Sequence, residues 1–230
     1  LLELGRRDRF YRAAARPGAS WGSRAFLLII AFAVLGPAQI AGWIFGARWA
    51  VWLAPPLAFA ALGMLFYGAL VLRRMRSYPL WSNRLQLALY PAGGLLAGCG
   101  TLALDPLAAL SPAHVHALGV AIAALAAVVG TLLAAVLQTT RASGPAGVAS
   151  VESLVSGERA TPFWGIAVTL GLVLPLALAA PTDWTGPVGL RAAGAAALTG
   201  LLALRQLFLV SAHKPTALTF RGAGPWGVKR

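Results

Sequence analysis

Six stretches of this chain run for 18 residues or more with almost no charge, and that one feature leaves few folds open. An α-helix rises about 1.5 Å per residue, so about 20 apolar residues cross the roughly 30 Å hydrocarbon core of a bilayer. In lipid every backbone N–H and C=O must find a partner inside the protein, and a helix does this within a single segment. The stretches are 25–45, 49–72, 85–104, 113–138, 163–180 and 188–210. Only 11% of the residues are charged, against about 25% in a soluble domain, and they gather between the runs. The expected fold is an all-α, polytopic transmembrane helix bundle, one integral-membrane domain over residues 1–230.

The cations give the bundle a direction. Residues 4–24, LGRRDRFYRAAARPGASWGSR, carry Arg6, Arg7, Arg9, Arg12, Arg16 and Arg24 against Asp8, immediately before the first run. Alternating the side at each crossing places seventeen of the nineteen Lys and Arg on one side and leaves Arg48 and Arg191 on the other. Cations flanking apolar helices stay in the cytoplasm, so both visible ends, the tail 211–230 included, are expected there. Trp21 and Trp81 fall at the inner interface, and Trp43, Trp49, Trp52 and Trp184 at the outer one, where indoles prefer to sit. Residues 1–24 also read as a basic amphipathic helix, with Leu4, Phe10, Tyr11 and Ala14 toward lipid. A net charge of +13 would suggest nucleic acid in a soluble protein; beside six membrane spans it reflects topology. The same logic makes Arg73, Arg74 and Arg76 a topology anchor with some capacity for anionic lipid.

Local signals refine the spans. Gly36-Pro37 is expected to bend the first, with Gln39 beside it buried and hydrogen-bonded, and Pro175 to break the fifth. The third holds Gly93, Gly94, Gly98 and Gly100, and Gly94-x-x-x-Gly98 predicts close helix packing. Ser111-Pro112 suits an N-cap followed by the first helical position. In the polar loop 139–161, residues 148–155 predict a short surface helix stopped by Gly157.

Candidates for chemistry are few. Cys99 lies alone in an apolar run, as a small core residue would. His114, His116 and His213 lack the spacing of a haem-ligating pair facing across two helices, so no haem is expected and no metal site is assigned. Walker, dinucleotide, HExxH and nucleophile-elbow motifs are absent, and no catalytic residue is assigned. What remains is an acid and an imidazole at one mouth of the bundle, Asp105 after the third span and His114 opening the fourth. Such groups can hydrogen-bond quinone carbonyls and move the accompanying protons. The plainer reading makes Asp105-Pro106 a helix terminator and His114 and His116 interfacial residues. Arg205 is expected to snorkel to phosphate or to pair locally.

The loops carry a resemblance. LELGRRDRF followed by SWGSR is similar to the LGRP-x-R-F/W … S-W-x-S-R junction of the polysulfide reductase membrane-subunit (NrfD-like) family, relatives of dimethyl sulfoxide reductase type membrane anchors. Leu4, Gly5, Arg6, Ser20, Trp21 and Arg24 carry that junction. FYGALVLRRMRSYPLWSN with Trp81, then GGLLAGCG, then SVESLVSGERATPFWGIAVTLGLVLPL with Phe163 and Trp164, follow in the family's order. The chain departs at Arg7, where the family has proline, and at Ser82, which separates Trp81 from Asn83.

The resemblance implies eight helices, of which these are the last six, with two expected before Leu1. It implies a haem-free anchor in the bacterial-type inner membrane that reacts with menaquinone or ubiquinone. A partner iron–sulfur subunit would connect it to a molybdopterin catalytic subunit, and those cofactors would lie in the partners. With the partner docked outside, Trp49, Trp52, Asp105 and His114 are what this chain can contribute to a quinone site. Two other classes stand beside this reading: a structural anchor with no quinone site, and a small-solute or ion transporter. Few polar groups at mid-membrane and no paired broken helices disfavour the transporter.

Overall fold

The computed structural model describes residues 21–105, 111–179 and 182–212. Leu4, Gly5, Arg6 and Ser20, the amphipathic segment they belong to, and the tail from residue 213 lie outside the described residues, as do the side chains of Trp21, Asp183 and Trp184. Every regular element among the described residues is a helix. Six are long and apolar enough to cross a membrane: Ser23–Ile44, Arg48–Arg74, Gln86–Leu104, Pro112–Arg141, Ala160–Ala179 and Gly186–Val210. The fold is an all-α polytopic bundle, and the chain divides into two compact units, Leu1–Arg74 and Met75–Arg230.

In the first unit, α1 (Trp21–Ile44) passes into a 3₁₀ helix (Arg48–Leu53) and then α2 (Ala54–Arg74). Helix α1 continues through Pro37, and Gln39 beside it is buried. Gly46, at φ 64°, makes the reversal, a backbone region that costs a residue with a Cβ. Small residues bring the chains together, with Gly63 of α2 under Leu28 of α1 and Gly42 under Ala50 and Trp49. Most large apolar side chains of this unit face outward, Val34 and Phe59 among them, as suits a lipid environment.

The second unit begins with the single turn α3 (Pro79–Ser82) and the spans α4 (Gln86–Leu104) and α5 (Pro112–Arg141). Helix α6 (Pro145–Val155) follows, and α7 (Ala160–Pro162) leads into a π-helix (Phe163–Val173) continued by α8 (Leu174–Ala179). Helix α9 (Thr182–Val210) closes the chain. One core joins the spans, built on Leu96 of α4, Ile122 and Val129 of α5, Phe163 of the π-helix and Ala197 of α9. Helix α6 runs three residues further toward its N-terminus than the expected 148–155 and buries Ser150, Val151 and Leu154. The Gly157 amide closes it on the Glu152 carbonyl at 2.7 Å.

Two expectations change. Gly98 is exposed, with open space where its side chain would be, so Gly94-x-x-x-Gly98 is not the packing face. The close approaches are Gly100 of α4 to Gly194 of α9, and Gly171 of the π-helix to Gly200 of α9. A Cβ on Gly194 would lie 2.6 Å from the Gly100 carbonyl oxygen, and one on Gly171 would lie 2.6 Å from the Gly200 Cα. Two turns separate Gly93, against Leu201, from Gly100, so the contact face repeats every seven residues rather than every four.

Nor does Pro175 break its span. The backbone changes from i→i+5 to i→i+4 bonding at Leu174, one residue ahead, and the helix runs on with Pro175 buried. The real interruption is Gly186 in α9, at φ 56° and ψ −158°, after which Pro187 restarts the helix with a preset φ.

Candidate functional site

At one end of the second unit stand the two ionisable candidates. Asp105 follows the last residue of α4 in extended conformation, exposed, its amide bonded to the Leu102 carbonyl at 3.3 Å. His114 lies in the first turn of α5, also exposed. Ser111 is the expected N-cap: its hydroxyl accepts the His114 amide at 3.4 Å. The same oxygen lies 2.7 Å from His114 Nδ1. One ring nitrogen is thus tied to the helix start, fixing the imidazole plane and leaving Nε2 to meet whatever approaches. His116, two residues on, is exposed as well.

Trp49 and Trp52 belong to the first unit, three residues apart on the 3₁₀ helix and therefore on one side of it. They are 51% and 79% exposed, together with Trp43 at 63%, a cluster of indoles suited to the interface. The acid and the imidazole share one unit, and the indoles belong to the other. Among the described residues no three His, Cys, Asp or Glu side chains come together as a metal group.

The opposite end of the second unit holds a polar joint. Asn83, between α3 and α4, donates through Nδ2 to the Val136 carbonyl at 3.2 Å, to Thr139 Oγ1 at 2.7 Å and to Thr140 Oγ1 at 3.0 Å. Its Oδ1 accepts the Leu85 amide at 3.0 Å. A short amide side chain thereby ties the start of α4 to the last turns of α5. Next to it Trp81 Nε1 donates to the Phe208 carbonyl of α9 at 2.9 Å, and Trp164 Nε1 to the Val155 carbonyl of α6, also at 2.9 Å. Phe163 is 1% exposed and meets the Trp164 ring edge-on at 5.2 Å. Trp81, Phe163 and Trp164 are therefore joints between helices. The buried Gln86 side chain donates to the Leu80 carbonyl at 3.0 Å.

Arg205 of α9 lies over the Tyr90 ring at 5.4 Å from its centre, beside a small cavity of about 20 Å³ that Leu89, Gly93 and Val129 also line. That volume suits one water, and the guanidinium over an aromatic face is a favourable way to hold a cation near lipid. Arg76, Arg84, Arg141, Arg159 and Arg205 all belong to this end of the unit, and Arg191 to the early turns of α9.

Asn83 and Gln86 are the polar residues the chain order conceals. Asn83 is 53 to 57 residues from its partners on α5, and between Ser82 and Arg84 it reads as an ordinary turn residue. Its only sequence signal is its place after Pro-Leu-Trp in the loop that resembles the family's. Compared with family models, with curated proteins and with solved structures, the chain matches none.

Proposed function

We propose that this chain is the membrane anchor and quinone-reactive subunit of a multi-subunit oxidoreductase, in the bacterial-type inner membrane with both visible ends cytoplasmic. Electrons would pass between menaquinone or ubiquinone and a partner iron–sulfur subunit, which serves a molybdopterin subunit. The observation that carries the reading is His114, its Nδ1 held by Ser111 and its Nε2 left for a ligand, at the same bundle end as Asp105. The loop resemblance supports it independently.

The donor set fits a quinone headgroup. Bound there, a quinone supplies a two-electron couple whose protons must come and go at its oxygens. His114 Nε2 can donate to or accept from one oxygen, since a ring nitrogen serves in either role according to the tautomer. Asp105, exposed to water, can pass protons between the imidazole's surroundings and the outside. Trp49 and Trp52, in the first unit, are exposed indoles of the kind that sit at a membrane interface.

Replacing Asp105 or His114 by alanine in the intact complex should slow quinol turnover about tenfold or more and leave subunit assembly unchanged. Unaltered turnover in both variants would remove them from the site. An intact complex without quinone reactivity would make the chain a plain anchor, and solute flux in liposomes holding this chain alone would make it a transporter.

Orientation has its own test. In a Cys99→Ser background, an impermeant maleimide should label His114→Cys only from the outer side of sealed cells and Ser143→Cys only in inverted vesicles. The opposite pattern would overturn the orientation.

A further inference from the structure

The polar end of the second unit opens into a cleft of about 540 Å³. Arg76 and Arg84 line it with Asn83, Thr139, Thr140 and Ser143, and Pro79 and Leu85 form its apolar part. Both guanidiniums are exposed. No acidic residue is in the lining; of the described acids of this unit, Glu158 pairs with Arg159 at 3.1 Å, Glu152 is exposed on α6 outside the cleft lining, and Asp105 lies at the other end.

The C-terminus of α5 also reaches this cleft, and a helix C-terminus repels anions through its free carbonyls. Here two of those carbonyls are occupied. The Ala142 amide takes Gln138 at 3.1 Å, and the Ser143 hydroxyl and amide take Thr140 at 2.6 and 3.0 Å. The repulsion of that end is thereby reduced, and Arg76 and Arg84 supply the positive charge of the cleft.

Depth identifies the anion. Arg84 stands two residues before span Gln86–Leu104 and Thr139 two residues before the end of span Pro112–Arg141. A cleft at two span ends lies at the headgroup plane, with Leu85 and Pro79 on its apolar side.

We propose that this cleft binds the phosphate of an anionic glycerophospholipid, Arg76 and Arg84 gripping its oxygens while the acyl chains follow the apolar rim. Phosphate is the chemistry recognised, since a guanidinium meets its oxygens in a forked pair. The lipid is the source favoured by position. The inference does not depend on the quinone reading.

The test compares thermal unfolding of the purified full chain in detergent with added phosphatidylglycerol, phosphatidylcholine or inorganic phosphate. Phosphatidylglycerol at about ten times half-saturation should raise Tm by about 3–6 °C, and the other two should not. Arg76→Gln with Arg84→Gln should lose that rise, and Arg191→Gln should keep it. An equal response to phosphatidylcholine, or an unchanged rise in the double variant, would overturn the site; a matching response to inorganic phosphate would overturn the lipid as its source. Should the double variant fold poorly, a photoactivatable phosphatidylglycerol on the wild type decides: crosslinks within 76–85 and 139–143 support the cleft, and crosslinks confined elsewhere refute it. A cleft that takes up no lipid but is shielded from a guanidine reagent by a co-purified acidic protein would be a protein interface, which also refutes the proposal.

Discussion

Gly200→Ala should cost the second unit at least about 3 kcal/mol, enough to remove much of its folded form from a detergent extract. The added methyl would collide with the Gly171 backbone, lying 2.5 Å from its nitrogen and 3.0 Å from the Ile166 carbonyl oxygen. A side chain in the way can rotate aside, but here the obstacle is main chain in a π-helix. The two spans would have to separate, and Leu172 and Leu201 beside the contact would lose packing. Lipid offers little hydrophobic drive to pull them back, because acyl chains are as apolar as the core. Gly98→Ala is the matched control. It lies in open space on the same kind of helix, so relief of glycine's backbone entropy makes it neutral or stabilising by up to about 1 kcal/mol. Thermal unfolding with a size-exclusion readout distinguishes the two. Equal stability of Gly200→Ala and Gly98→Ala would refute the close Gly171–Gly200 crossing.

That pair also marks where the sequence stops being informative. The six spans are legible because lipid demands uninterrupted apolar runs, and the helices end within a few residues of the expected bounds. Local devices are legible too: Ser111-Pro112 spells out a cap whose partner, His114, is three residues on. Which face of a span turns inward is another matter. Along 85–104 both faces are apolar, so periodicity does not separate Gly98, facing out, from Gly100, facing α9. The π-helix is hidden for a similar reason, since its five-residue bonding leaves no compositional mark. Asn83 illustrates the third gap: its role depends on partners more than fifty residues away. As for the candidate quinone groups, residue type and loop position were readable, while the Ser111 bond that orients His114 required coordinates.

Two adjacent aromatic residues should behave very differently when changed. Phe163→Ala removes a ring that is 1% exposed, at the turn where α7 enters the π-helix and within the core shared by α5 and α9. A void on the order of 100 Å³ at about 24 cal/mol per Å³ amounts to about 2–3 kcal/mol. The transfer part of the usual penalty is reduced, because the separated helices would expose the ring to lipid rather than water. Trp164→Phe keeps an aromatic ring at a site that is 49% exposed and deletes only the indole bond to the Val155 carbonyl. That loss is worth about 1 kcal/mol. Since Val155 ends α6, the effect should be local: faster amide exchange over 145–157 with the global Tm nearly unchanged. Phe163→Ala should instead lower Tm by about 5–10 °C and speed exchange in α5 and α9 together. Comparable Tm losses in both variants would mean that Trp164 is buried by something beyond these helices, a partner subunit or a further span. No loss in Phe163→Ala would mean that the entry to the π-helix does not hold the spans together.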